Sequence, residues 1–248
     1  FSAVREISRQ LWKTDGTVGG TVPIIDPWPE DLSVRGGGFS SMTSLRDYLL
    51  LSMDDSVHGE ELWISDGTAT GTMLVQDINP GFGNARLLFL ATLGNEMIFA
   101  ADNGSQGREL WATDGTAGGT RLIVDINAGA ADGLFSSVSE RFGSEIYFFA
   151  DGGSNGRELW KTDGTAGGTR QVFDLNPGLP GAVTDMRGMS RLGNKLIFGG
   201  NDGTTGEELW IYEPFGPSTL TLALSAASIG EWGSVTATVT RTGLTDRP

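Results

Sequence analysis

The chain has 248 residues, 38 of them Gly and none Cys, and its 31 acids against 17 bases give a net charge of −14. That balance argues against a basic face for phosphates and so against nucleic acid as a partner, and the missing Cys excludes disulfides and thiolate metal sites. No apolar run reaches the roughly 18 residues of a membrane-spanning helix, so no membrane insertion is expected. The chain opens on Phe1 with neither an initiator Met nor a signal peptide, and it is expected to be a processed or excised piece of a longer polypeptide.

Leu-Trp returns at Trp12, Trp63, Trp111, Trp160 and Trp210, 48 to 51 residues apart. A period of that size marks one supersecondary unit repeated. The first copy holds only a third and a fourth strand, residues 10–14 and 21–25, with residues 1–4 as a remnant of the second. In the next copy residues 39–45 pair through Arg46-Asp47 with residues 48–52. The clearest unit runs over residues 87–127. Strands over 87–93 and 96–101 flank the two-residue turn Gly94-Asn95, a tight-hairpin signal. A glycine-rich loop, 102–108, leads to a third strand over 109–113, and residues 120–125 form the fourth. Residues 135–142 and 145–150 repeat the hairpin around Gly143-Ser144, and residues 185–192 and 195–200 repeat it around Gly193-Asn194. The last copy ends after a third strand, 208–212, where Glu213-Pro214-Phe215-Gly216-Pro217 breaks the pattern.

Four short strands per repeat is the content of a propeller blade. Leu-Trp-Ile and Leu-Ile-Val are continuous apolar runs, so both faces of each sheet are expected to be buried between neighbours. The predicted fold is therefore all-β: a β-propeller of about five four-stranded blades over residues 1–216, the first and last partial. A C-terminal β segment, 217–248, follows. It has strands over 219–224 and 234–240 around Gly230-Glu231-Trp232-Gly233. About 30 residues are too few for an independent β-sandwich. The segment opens a second β module, or it donates a strand to the propeller or to a partner. Closure has three routes: the partial end units meet, more blades precede them, or a strand comes from another chain.

Each Trp has the bulk to fill the gap between twisted blades, burying roughly 150–250 Å². The candidate chemistry lies in the loop before each Glu-Leu-Trp, where Asp54, Asp55, Asp102, Asp151 and Asp202 sit among Gly and Asn. Calcium takes six to eight oxygens from such a turning loop. Each loop has few acids, and the competing reading is that these side chains cap their own turns. Asp15, Asp66, Asp114 and Asp163 start Asp-Gly-Thr turns of structural type. Glu61, Glu109, Glu158 and Glu208 occur once per copy, which points to a repeated structural bond and away from a catalytic pair. His58, the only histidine, is expected to be exposed and incidental, and no Gly-x-Ser-x-Gly elbow accompanies it. Trp28, in Asp26-Pro27-Trp28-Pro29, is a candidate contact for a carbohydrate or partner.

The stretches Glu61 to Thr68, Glu109 to Thr116 and Glu158 to Thr165, the Gly-Thr pairs at 71–72, 119–120 and 168–169, and Asp77-Ile78-Asn79-Pro80-Gly81 with Asp174-Leu175-Asn176-Pro177-Gly178 resemble the bacterial ELWxxDGT-repeat family. The resemblance covers roughly residues 9–212. Gln10 replaces Glu in the first copy, and the last copy lacks Asp-Gly-Thr. Residues 220–241 are loosely similar to the start of a Calx-beta or other immunoglobulin-like module. The resemblance implies a propeller in a large secreted or surface protein of a bacterium. The expected function is a non-enzymatic structural or adhesive module of an extracellular assembly, with other copies of itself or surface proteins as partners. The alternative is a calcium-dependent carbohydrate-binding propeller that recognises glycans.

Overall fold

A computed structural model describes residues 2–5, 8–25, 38–178, 181–183, 188–214, 220–224 and 237–241. It is all-β, with no helix among the described residues. Strands β1 (Ser2–Arg5), β2 (Ser8–Lys13) and β3 (Val22–Ile25) form the first sheet. The second is β4 (Phe39–Leu45), β5 (Tyr48–Asp54), β6 (Glu60–Ser65) and β7 (Met73–Gln76). The third is β8 (Leu88–Leu93), β9 (Glu96–Asp102), β10 (Arg108–Thr113) and β11 (Arg121–Val124). The fourth is β12 (Ser139–Phe142), β13 (Glu145–Asp151), β14 (Arg157–Thr162) and β15 (Arg170–Gln171). The fifth has three described strands, β16 (Met189–Leu192), β17 (Lys195–Asn201) and β18 (Glu207–Tyr212). A sixth sheet pairs β19 (Leu220–Leu224) with β20 (Ala237–Arg241).

Every sheet is an antiparallel meander in chain order, so each strand pairs with the one before it. The predicted strand over 135–142 is shorter in the structure, since residues 135–138 lie outside β12; of the one over 185–192, β16 covers residues 189–192, and residues 185–187 lie outside the described residues. The described sheets form an open series, and no described strand pairing closes it into a ring.

The core lies between consecutive sheets. On β9, Met97, Phe99 and Ala101 pack with Leu50 and Leu62 of the second sheet, while Ile98 and Ala100 pack with Ile146 and Phe148 of the fourth. On β13, Tyr147 and Phe149 turn the other way, to Leu196 and Phe198 of the fifth. Both faces of the inner sheets are thus buried, which is why their sequences run apolar without alternation.

The Leu-Trp pair is the two-sided version of this arrangement, because successive strand side chains point to opposite faces. Leu62, Leu110 and Leu159 pack forward against the next sheet. Trp63, Trp111, Trp160 and Trp210 pack back against the preceding one. Leu11 of the first sheet joins Leu51 and Met53 of the second in the same way. Fully burying each such Leu is worth about 1.5–3 kcal/mol, so the repeated dipeptide fastens unit to unit.

Candidate functional site

The Asp-Gly-Thr frame closes a connection of seven residues, eight in the first sheet, between the Trp strand and the one after it, longer than the two-residue hairpin that Asp-Gly alone suggests. Its geometry is the same in four copies. In the first, Asp15 Oδ1 accepts the Thr17 backbone N–H at 2.9 Å and its hydroxyl at 2.7 Å. The Thr17 hydroxyl oxygen in turn accepts the Gly20 N–H at 2.9 Å, and the Thr21 hydroxyl donates to the Thr17 carbonyl at 2.7 Å. Asp66, Asp114 and Asp163 make the equivalent bonds to Thr68, Thr116 and Thr165. Those bonds, the Thr hydroxyl first, hold these three carboxyls below their ordinary range. The first Gly of the frame adopts φ between +85° and +92° at Gly16, Gly67, Gly115 and Gly164. At the second, Gly20, Gly71, Gly119 or Gly168, a Cβ would fall 1.9–2.1 Å from the Asp carboxylate. The whole frame is therefore used by the turn itself.

The glutamates before Leu-Trp are fully buried at positions 61, 109 and 158, at most 1% exposed. Each binds the backbone that follows its own fourth strand. Glu61 accepts N–H groups from Ile78 at 2.6 Å and Asn79 at 3.1 Å. Glu109 accepts from Ile126 at 2.6 Å and Gly133 at 2.8 Å, with a longer bond from Asn127. Glu158 accepts from Leu175 at 3.2 Å and Ala182 at 2.8 Å. Burial pushes Glu61 up to about 8 and Glu109 up to about 7, against the downward pull of those donors, and it raises Glu158 as well. The neighbouring Asp77, Asp125 and Asp174 add to the rise. Nothing in the spacing of the frame announced Asp77 or Asp125 as electrostatic partners of a buried Glu. Both carry a buried Oδ1 that lacks a hydrogen-bond partner.

In the fifth sheet the pattern fails. Glu208 is only partly buried, its Oε2 is shut off from solvent, and that atom has no hydrogen-bond partner. β18 has no described fourth strand beside it.

The proposed metal-ligating residues sit in equivalent loops, and their carboxylates turn onto their own backbone. Asp54 Oδ1 accepts the Ser56 N–H at 2.7 Å, Asp102 Oδ1 the Gly104 N–H at 2.8 Å, and Asp151 Oδ1 the Gly153 N–H at 2.8 Å. Asn201 does the same to Gly203 at 2.7 Å. Asp202 accepts from Thr204 and Thr205, which hold it far below the carboxylate range. Gly104, Gly153 and Gly203 occupy the left-handed region, as does Ser56 at φ 64°, and each such turn is closed by the preceding Asx side chain. Among the described residues no group of three or more His, Asp or Glu side chains is arranged to hold a metal ion.

His58 is not incidental to its loop. Its Nδ1 lies 2.7 Å from Asp55 Oδ2, and that bond raises the imidazole's pKa. Asp55 also accepts the Val57 and His58 N–H groups, and although burial works upward its carboxyl is held below the ordinary range. Trp28 lies outside the described residues. Trp63, Trp111 and Trp160 are engaged between sheets, and Trp210 also donates its indole N–H to Gly200 O at 3.2 Å.

No protein-family model and no curated protein matches the chain. Among solved structures it is similar to puromycin hydrolase in its S511A mutant complexed with PGG. The identity is 12%, the match covers 80% of this chain and 31% of that chain, and the TM-score is 0.49. A second structure of puromycin hydrolase matches at 12% identity over the same shares, with a TM-score of 0.47. The chain thus spans about a third of the length of these enzymes, and a likeness of this size carries no argument about activity or substrate.

Proposed function

We propose that the sheets are blades of a β-propeller of the ELWxxDGT-repeat type. In this reading the chain is a non-enzymatic structural or adhesive module of a bacterial surface or extracellular assembly, and it joins other chains through its C-terminal strands. One observation carries the reading: in the second, third and fourth sheets the recurring polar residues are taken up by the copy's own backbone. The Asp-Gly-Thr carboxylates close their turns, the loop Asx side chains close theirs, and Glu61, Glu109 and Glu158 bind the segment after the fourth strand. A repeat built this way makes a rigid scaffold, and the sites left for contact are where it stops.

The test is sedimentation velocity over a concentration series, with negative-stain imaging of the same samples. The expected outcome is concentration-dependent association that Thr221→Pro, within β19, reduces to monomer, since proline removes a ladder donor. Isolated monomers at the highest concentration overturn the reading. Calcium-dependent binding on a glycan array replaces it with the carbohydrate-binding alternative.

A further inference from the structure

The connection after β18 has the same length as those of the second, third and fourth sheets. Residues 213–219 separate Tyr212 from Leu220, as residues 114–120 separate Thr113 from Arg121 and residues 66–72 separate Ser65 from Met73. β19 therefore stands at the sequence position of the fifth sheet's fourth strand. In the structure it pairs with β20 instead, from Leu220↔Arg241 to Leu224↔Ala237. The reason lies in the connection itself. Pro214 occupies the position of Gly16, Gly67, Gly115 and Gly164, all of which adopt φ near +90°. Proline is locked near −65°, so the fold-back that serves the other sheets is closed to this one. The Thr whose hydroxyl ties the turn is replaced by Phe215, and the Asp by Glu213.

The acceptor side is intact. β18 keeps the Glu-Leu-Trp frame that receives the fourth strand in the other sheets, Glu208 Oε2 is buried with no donor, and β18 has no described partner on its outer edge. We propose that this edge is completed in trans, by the Leu220–Leu224 strand of a second copy of the chain. This rests on the reading that chains join through their C-terminal strands, and it names the site they enter. A strand has two edges, and pairing with β20 uses one edge of β19. The first three sheets share one register at this joint, with a bulge inside Leu-Trp: Leu110↔Val124, Trp111↔Leu122 and Ala112↔Arg121 in the third. Transferred to the fifth, that register sets Leu209 opposite Ala223, Trp210 opposite Thr221 and Ile211 opposite Leu220. One-way donation builds rings or open filaments, whereas reciprocal exchange between two chains closes a twofold dimer.

The chain has no Cys, so engineered thiols report cleanly. Ile211→Cys and Leu220→Cys are made separately in the full chain, mixed, and oxidised. The expected result is a disulfide joining one variant to the other, with each variant alone giving little covalent product. In the double variant the expected product is a covalent dimer or a ladder of covalent multimers. Glu208→Ala in the Ile211→Cys chain is expected to lower the yield of the mixed product about tenfold, because charge-assisted bonds to the incoming backbone are lost. Its melting temperature is expected to stay unchanged, since that carboxylate binds no described neighbour. A double variant that closes on itself as a monomer overturns the proposal. So does association, seen by sedimentation, without any mixed disulfide; in that case chain joining stands and only the acceptor site is wrong.

Discussion

The third and fifth sheets both contain Glu-Leu-Trp and show what a repeat does with and without its neighbours. Leu110 is 0% exposed and packs against the fourth sheet, whereas Leu209, at the same place in the frame, is 71% exposed. Glu109 binds three backbone N–H groups, whereas Glu208 leaves a buried oxygen without a donor. Burial and bonding here belong to the joint between units, and the motif alone does not supply them. This is the nearest-neighbour logic of repeat proteins, in which interface terms between units carry much of the stability.

The most forceful way to break the comparison is to truncate the shared Leu in each sheet. Leu110→Ala is expected to cost about 2–5 kcal/mol, the range for a buried Leu that leaves a cavity. Leu209→Ala is expected to stay within about 0.5 kcal/mol, as for an exposed site. Urea unfolding midpoints measured side by side check both, and equal losses would mean that the fifth sheet is covered after all. Next in size is the shared Glu. Glu109→Ala strands N–H groups of Ile126 and Gly133 in the interior, at roughly 1–3 kcal/mol for a buried donor left unmade. Glu208→Ala removes an unpartnered oxygen and is expected to leave the midpoint unchanged or slightly raised.

Much of this was legible in the residues, and the illegible part has a common cause. The hairpin over β8 and β9 followed from apolar runs around Gly94-Asn95, and burial of both faces followed from the lack of polar alternation. The Asp-Gly-Thr residues announce a structural turn, but they do not explain the second Gly. That residue is required by a carboxylate folding back across the turn, a contact visible only in three dimensions. The partner of Glu109 was hidden for a stronger reason. It is the main chain at Ile126 and Gly133, and a backbone N–H carries no residue signature. A single histidine forms no pattern in the sequence, so the role of His58 is hidden there, although its bond to Asp55 is local and within three residues. The direction of the Leu-Trp pair, Leu forward and Trp back, depends on the order of sheets and not on spacing.

A subtler difference concerns pH. Burial lifts Glu109 to about 7 and Glu61 to about 8 from an ordinary 4.5. Above about pH 4.5 the unfolded chain releases these protons while the folded chain keeps them. The stability they contribute is therefore full below that value and lost as pH rises through 7 to 8. Growing self-repulsion of a chain at net charge −14 acts in the same direction. The urea midpoint is expected to fall between about pH 5 and pH 9, and Glu109→Gln separates the two causes by flattening the slope while leaving surface repulsion unchanged. A slope identical in that variant would mean that Glu109 contributes nothing to the effect.

The smallest expected effect concerns the loops, where the fifth unit already carries out a substitution. Asn201 closes its loop with the same Oδ1-to-glycine bond as Asp102 and Asp151 make, the counterpart of the Asp54 bond to Ser56, and it does so without charge. If capping is the role of these carboxylates, an amide serves equally. Asp151→Asn is then expected to leave stability within about 0.5 kcal/mol, and Asp151→Ala to cost about 1 kcal/mol for the lost bond. Calcium chloride titrated into the native chain and into Asp151→Asn sharpens the distinction, because a calcium loop depends on carboxylate charge. A melting temperature that rises with calcium in the native chain, and rises less in Asp151→Asn, would make the loop Asp residues ligands and would separate them from Asn201, which makes the same bond.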